Sequence, residues 1–417
     1  MTFPLPSARG SVAGEVVVPG SKSETNRALV LAALADGPST LRGTLDSRDS
    51  ALMIAALEAL GVGIRAEGAA LRVTPPRRFR GAPGIGCGLA GTVMRFVPPV
   101  AALADGPSSF LGDPHASERP MGPLLDGLRQ LGVAVDAEAL PFALTPPDRL
   151  GDEAAIDAST SSQFVSGLLL IGPLLPRGLR LTHTGKRLPS LPHIQMTVEM
   201  LRARGVVVDQ PDERTWVVAP GPIAALDATI EPDLTNAAVF LAAAAVAGGR
   251  VTVPGWPANS IQPGALFLDV AERMGAVVER GADSVTLSGT GALRAVDVDL
   301  TAASELTPVV AALGALADGT TVIRGVAHIR GHETDRLAAL VAELGQAGVP
   351  ARETDDGLVI EGGSPIRPAE FRTYADHRLV HFAALLALHA PGAAVDDLLC
   401  VSKTMPLFPE DWARLVG

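Results

Sequence analysis

The sequence predicts an α/β protein of two similar domains, each built of three β-α-β-α-β-β units (six repeats in all), with the active site in the interdomain cleft. Three observations lead there. Short polar clusters, each followed by an alanine-rich helical stretch, a Gly turn and a β-prone run, recur six times along the 417 residues. Glycines at the joints where a second helix gives way to a strand, Gly61, Gly132, Gly205, Gly275 and Gly348, return about every 70 residues, a regularity that isolated helix caps do not produce. The chain is also too long for one core, and with 47% hydrophobic but only 4% aromatic residues its cores must be packed from Ala, Leu and Val.

The elements follow in order. Residues 16–18, three valines, predict a short strand broken by Pro19-Gly20. Ser21, Lys22, Ser23, Glu24, Thr25 and Asn26 then open an Ala/Leu helix. The next copies cover residues 86–113, 156–185, 228–255, 298–325 and 371–397. The sixth stops early, and a strand near residues 3–12 is expected to complete it, bringing the N-terminus beside the C-terminus. Three units per domain is the natural split, giving one domain from 1–19 with 231–417 and another from 20–230. The crossings near Gly20 and Glu231 would serve as hinges. One long solenoid is disfavoured, because the polar clusters differ in content where equivalent caps would look alike.

Composition narrows the function. A formal charge of −11 argues against a nucleic-acid partner, which calls for a basic surface. No apolar run has membrane-spanning length, and the first residues lack a signal-peptide pattern, so the expected location is cytoplasmic. Cys87 and Cys400 offer neither a disulfide framework nor zinc spacing, and no metal or cofactor is implied.

A strand, a small polar turn and a helix start make a ready anion site, since free N–H groups and the helix dipole converge there. An ordinary N-cap has the same look. Lysine usage separates the two readings. Of 34 Lys and Arg residues only Lys22, Lys186 and Lys403 are lysines, and a compact ammonium suits proton transfer where a guanidinium does not.

The stretches PGSKSETNRAL, GLAGTVMRF, SERPMG, STSSQFVSGLLL, HETDRL, TYADHR and SKT resemble the signatures of the 5-enolpyruvylshikimate-3-phosphate (EPSP) synthase family, and the resemblance spans essentially the whole chain. It implies a six-unit, two-domain fold without a cofactor. The implied reaction is transfer of the enolpyruvyl group of phosphoenolpyruvate to the 5-hydroxyl of shikimate 3-phosphate, through a tetrahedral intermediate. Glyphosate would compete with phosphoenolpyruvate, and the protein would be a monomer. By this resemblance Lys22, Glu305 and Glu333 are catalytic, with Glu333 the proton donor and Glu305 the acceptor near the 5-hydroxyl. Shikimate 3-phosphate falls to Lys22, Ser23, Arg27, Ser161, Ser162, Gln163, Ser190, Glu305 and His332. Phosphoenolpyruvate falls to Lys22, Gly91, Arg119, Gln163, Arg336, Arg378 and Lys403. Lys186 reads either as a further cation near the phosphate or as a solvated loop lysine. His377 reads as part of the phosphoenolpyruvate pocket or as a structural histidine. Without ligand, the cations are expected to repel one another.

Three positions depart from the family pattern: Leu89 and His328 stand where Asn is common, and His332 where Lys is common. Charge on His332 would depend on pH. Glu305 keeps the carboxylate where many members have Asp. The rival UDP-N-acetylglucosamine enolpyruvyl transferases carry Lys-Asn at the Lys22-Ser23 position and a reactive Cys before an Arg-Pro, which the stretch ending at Pro120 lacks. A catalytically dead binding protein is disfavoured by Lys22, Glu305, Glu333 and Lys403 occurring together. An RNA-phosphate cyclase would need a nucleotide-binding apparatus and a basic track, and neither is present.

Overall fold

Six small mixed sheets, one per repeat, organise the computed structural model, which describes residues 2–417; Met1, at the head of the segment 1–19, lies outside them. The chain divides into two units, Met1–Pro19 with Glu231–Gly417, and Gly20–Ile230. Twelve α-helices occur among the described residues: α1 Lys22–Ala33, α2 Arg48–Ala59, α3 Gly91–Ala101, α4 Gly122–Gln130, α5 Gln163–Ile171, α6 Leu191–Arg202, α7 Leu234–Ala247, α8 Phe267–Arg273, α9 Thr307–Leu316, α10 Arg336–Gln346, α11 His377–Ala387 and α12 Phe408–Val416.

Five sheets share one topology: a parallel pair, then two antiparallel neighbours. In the second repeat Ile85–Gly86 lies parallel to Ser108–Leu111, which pairs antiparallel with Phe142–Thr145, and that strand with Ala134–Val135. This is the β-α-β-α-β-β order. The joint glycines account for its regularity. Gly61, Gly132, Gly205, Gly275 and Gly348 all have positive φ, between 79° and 108°, the left-handed step that ends each second helix without a Cβ penalty.

The N-terminal segment is distributed between two repeats. Phe3–Pro4 pairs antiparallel with Ala394–Val395 and completes the sixth sheet, which has three strands. The strand expected at residues 16–18 is not there. The ladder is formed by Val12–Glu15, parallel to Gly249–Pro254 in the fourth repeat. Val16 still donates to the Thr252 carbonyl, and Val16 and Val18 point inward while Val17 is 71% exposed. The chain stays extended there, but it leaves its partner strand on the way to Pro19. The first repeat takes its leading strand from Ala228–Thr229, parallel to Ser39–Arg42.

The first helices of the repeats, α1, α3 and α5 in one unit and α7, α9 and α11 in the other, form the centre of each core. Every residue of α3 and of α11 is buried, the mark of a helix with no solvent face. Small residues permit the close packing: a Cβ on Gly167 of α5 would lie 2.3 Å from the Arg95 carbonyl oxygen of α3. The polar clusters therefore sit at the starts of helices that are otherwise wholly buried. None of the helices among the described residues is long and apolar enough to cross a membrane.

Candidate active site

In the unit Gly20–Ile230 the starts of α1, α3 and α5 are tied together. Ser21 caps α1, its hydroxyl accepting from the Glu24 N–H. Asn26 Nδ2 donates to Thr92 Oγ1 at 2.6 Å, linking α1 to the second residue of α3. Arg27 is 1% exposed and held by four hydrogen bonds: Nε donates to Thr197, Nη1 to the Ser23 carbonyl, and Nη2 to Ser166 and the His193 carbonyl. Its guanidinium lies over the Phe96 ring at 5.0 Å. Burial pulls it down to about 9, so it remains a cation at neutral pH. Lys22 is partly exposed, with Nζ 3.4 Å from Asp49 Oδ2.

The glycine loop before α3 holds a second arginine. Arg119 Nη1 donates to the Leu89 carbonyl at 2.8 Å, and its buried Nε has no hydrogen-bond partner among the described residues. A Cβ on Gly91 would lie 3.1 Å from Arg119 Nη2 and 3.2 Å from Arg95 Nη1, so glycine leaves this arginine its room. Leu89 contributes its carbonyl here, not its side chain. At α5, Ser162 is the N-cap residue and Ser161 Oγ accepts from the Gln163 N–H. Ser190, 9% exposed, precedes α6 with φ of 51°, a left-handed conformation unfavourable for a serine. Lys186 is exposed on the loop before it.

In the other unit the site is a knot of charges. Arg336, the first residue of α10, is 1% exposed. Its Nε and Nη2 grip Asp376 at 2.6 and 3.2 Å, Nη1 donates to Glu305 at 2.9 Å, and Nη2 to Glu333 at 3.0 Å. Arg378 Nε donates to Glu305 Oε2 at 2.6 Å, while its buried Nη1 has no hydrogen-bond partner among the described residues. Lys403 donates to Glu333 Oε1. Three cations thus meet three carboxylates. The mutual repulsion expected of the cations does not arise in this unit, because each is already paired.

These pairs set the charge states. Burial alone would raise Glu305, but Arg336 and Arg378 hold it well below the usual carboxylate range. Burial pulls Arg336 down, and Asp376, Glu305 and Glu333 more than reverse this, holding it well above the ordinary arginine value. His332 lies 3.1 Å from Arg336 Nη1 and 3.5 Å from Glu305, and burial pushes it down to about 3. His328, whose Nε2 is 2.8 Å from Ser304 Oγ, is likewise pushed down by burial to about 4. Both rings are neutral near pH 7, so the pH-dependent charge expected of His332 falls outside the neutral range. His377 is buried in the core beside Asp376 and the His381 ring.

Two residues were missed by the sequence reading. Asp376 caps α11, accepting from the Arg378 N–H, and grips Arg336; an Asp directly before a helix start was the available signal. Asp49 in the first turn of α2 holds Lys22, and nothing local announces that long-range pair. Cys87 is fully buried, and burial pushes its thiol up to about 12, so it is no nucleophile. Among the described residues no cluster of His, Cys, Asp and Glu suited to a metal ion occurs.

The chain matches the EPSP synthase (3-phosphoshikimate 1-carboxyvinyltransferase) family over residues 6–412. It is 50% identical over 423 aligned positions to a 3-phosphoshikimate 1-carboxyvinyltransferase of Mycobacterium ulcerans (strain Agy99), covering 99% of this chain and 97% of the relative. Among solved structures it shares its fold with an EPSP synthase from Acinetobacter baumannii, with a TM-score of 0.81 at 23% identity over 100% of this chain and 98% of the other. It shares it also with the enolpyruvyl transferase NikO from Streptomyces tendae, with a TM-score of 0.80 at 22% identity and the same coverages.

Proposed function

The chain belongs to the EPSP synthase family, and we propose that its residues carry that family's reaction as follows. The enolpyruvyl group of phosphoenolpyruvate passes to the 5-hydroxyl of shikimate 3-phosphate, and phosphate leaves. Glu305, kept ionised by its arginines, takes the proton of the 5-hydroxyl as its oxygen attacks the vinyl carbon bearing the phosphate. Glu333 supplies the proton that turns the methylene into a methyl group. The tetrahedral intermediate then loses a proton from that methyl and expels phosphate.

The observation that carries this reading is the shared hold of Arg336 on Glu305 and Glu333. Two carboxylates held by one guanidinium support a reading in which they act in successive proton transfers on one substrate. Glu333 now accepts from both Arg336 and Lys403, so it is an acceptor and has no proton to give. Phosphoenolpyruvate, itself an anion, draws Arg336, Arg378 and Lys403 onto its own oxygens, which weakens the hold of these cations on the Glu333 carboxylate and favours its protonation. Nη1 of Arg378 and Nε of Arg119, each without a hydrogen-bond partner among the described residues, are donors that such an anion could take up. Gly91 and Gln163 complete that group of ligands.

Shikimate 3-phosphate is assigned to Lys22, Ser23, Arg27, Ser161, Ser162, Gln163, Ser190, Glu305 and His332, with its phosphate at the start of α5. Arg27 serves with its Nη1 on the Ser23 carbonyl. His332, neutral, donates a hydrogen bond where a lysine would bring charge. Lys22 stands between the two substrates. Glyphosate, an anionic phosphonate, competes for the phosphoenolpyruvate cations. The protein acts in the cytoplasm as a monomer. Phosphate release from phosphoenolpyruvate with shikimate 3-phosphate, run beside the same assay with UDP-N-acetylglucosamine, tests the assignment. Turnover with the second acceptor alone would overturn it.

A further inference from the structure

The loop that delivers Asp376 and Arg378 has an unusual backbone. Tyr374 and Ala375 are consecutive non-glycine residues with φ of 54° and 55°, in the left-handed region that side chains disfavour. Two such residues in a row persist only where the surroundings impose them. One end of the loop is pinned by Asp396, which accepts from both the N–H and the hydroxyl of Thr373 at 2.8 Å. The Asp376 N–H closes the turn onto the Thr373 carbonyl. At its middle the loop is held by Glu343. This side chain is fully buried and accepts from the Tyr374 hydroxyl at 2.8 Å, the Arg372 N–H at 3.0 Å and Gln346 at 3.2 Å.

Glu343 lies on α10, the helix that begins with Arg336. One helix therefore grips the strained loop twice, at its start through Arg336 on Asp376 and two turns later through Glu343 on Tyr374. Two anchor points on a rigid helix fix both the position and the direction of the segment between them. We propose that the Tyr374–Glu343 hydrogen bond is a positioning device for phosphoenolpyruvate, holding the loop so that Asp376 presents Arg336, and the adjoining helix start presents Arg378, to the incoming anion. Neither residue touches substrate. This rests on the reading of Arg336 and Arg378 as phosphoenolpyruvate ligands.

Tyr374 is the chain's single tyrosine, so ultraviolet titration of the folded protein reports its hydroxyl alone. Burial and the bond to Glu343 push that hydroxyl up to about 12. Glu343→Gln should bring its titration to lower pH; an unchanged curve would overturn the pairing. Tyr374→Phe keeps the ring and removes the bond. It should raise the KM for phosphoenolpyruvate about tenfold, with the KM for shikimate 3-phosphate within about twofold of the wild type. Combining Tyr374→Phe with Glu343→Gln replaces a buried carboxyl that has lost a donor by a neutral amide. The double variant should recover melting temperature but keep the raised KM. If stability and KM recover together, or both KM values rise in step, the pair is merely structural and the proposal falls. Arg378→Lys serves as the control for the underlying reading. If it leaves the phosphoenolpyruvate KM unchanged, the ligand assignment fails; if it raises that KM while Tyr374→Phe does not, only the positioning role fails.

Discussion

In the unit Gly20–Ile230 the helix starts are joined without ion pairs: Asn26 to Thr92, the Arg27 cation to neutral hydroxyls and carbonyls, and Ser161 and Ser162 stand at the head of α5. In the unit that includes Glu231–Gly417 the start of α11 is joined by an ion pair to Glu305, just before α9, through Arg378, and Arg336 at the start of the second helix α10 adds ties to three carboxylates. The repeat is the same and the electrostatics differ. A phosphate bound by neutral donors and helix N-termini would have no ion pair to break. Paired cations must exchange partners, and that exchange couples anion binding to the proton affinity of the released carboxylates. On the proposed roles, one unit would serve for holding and the other for proton transfer.

The comparison breaks most visibly at Lys22, the one cation of the first unit facing a carboxylate among these groups. Lys22→Met should lower kcat by about 10³-fold, as loss of a charge from a transition-state site does. Activity close to wild type at saturating substrates would reduce Lys22 to a partner for Asp49. Glu333→Gln tests the proton-transfer half. The amide keeps the shape but cannot deliver a proton, so kcat should fall about 10²-fold while isothermal titration shows shikimate 3-phosphate binding intact. A loss confined to binding would make Glu333 a ligand or a partner of Arg336.

Gly91→Ala probes how much room the first unit's loop allows. The new methyl meets only the ends of Arg119 and Arg95, which give way by tenths of an ångström. Inhibition assays should show glyphosate weakened about tenfold, and phosphoenolpyruvate less, because the longer ligand needs the space. Equal weakening would mean that glycine is required for the loop alone.

A further distinction is in acid. His332 at about 3 and His328 at about 4 both lie below the ordinary 6.5 of the unfolded chain. Between those values the unfolded state binds more protons, so stability is full above about 6.5, is lost as pH falls through that window and levels off below it. Each ring contributes a slope of about 1.4 kcal/mol per pH unit within the window. Urea midpoints of His328→Asn/His332→Asn should therefore fall less than those of the wild type between about pH 7 and pH 5. Parallel curves would show that the rings take up protons equally in the folded and unfolded chain. The smallest effect belongs to Lys186. As an exposed loop lysine, its replacement by Ala should change the KM for shikimate 3-phosphate by less than about threefold. A larger rise would place it at the phosphate.

Sequence by itself determined what depends on local chemistry and on repetition. The β-α-β-α-β-β unit was legible because hydrophobic period and glycine spacing are local, and the five joint glycines do adopt positive φ. The polar helix starts were legible for the same reason. Tertiary structure alone decided the pairings between distant segments. It assigned Val12–Glu15 to the fourth repeat and Ala228–Thr229 to the first, because strand partners are chosen by what lies alongside, not by propensity. It buried Arg27 among hydroxyls and carbonyls and put Asp49 on Lys22. It also neutralised Arg336, Arg378 and Lys403 with Glu305, Glu333 and Asp376, where residue types alone suggested repelling cations. A charge written in a sequence has a sign but no distance, and the interaction energy, the protonation state and the chemistry depend on the distance.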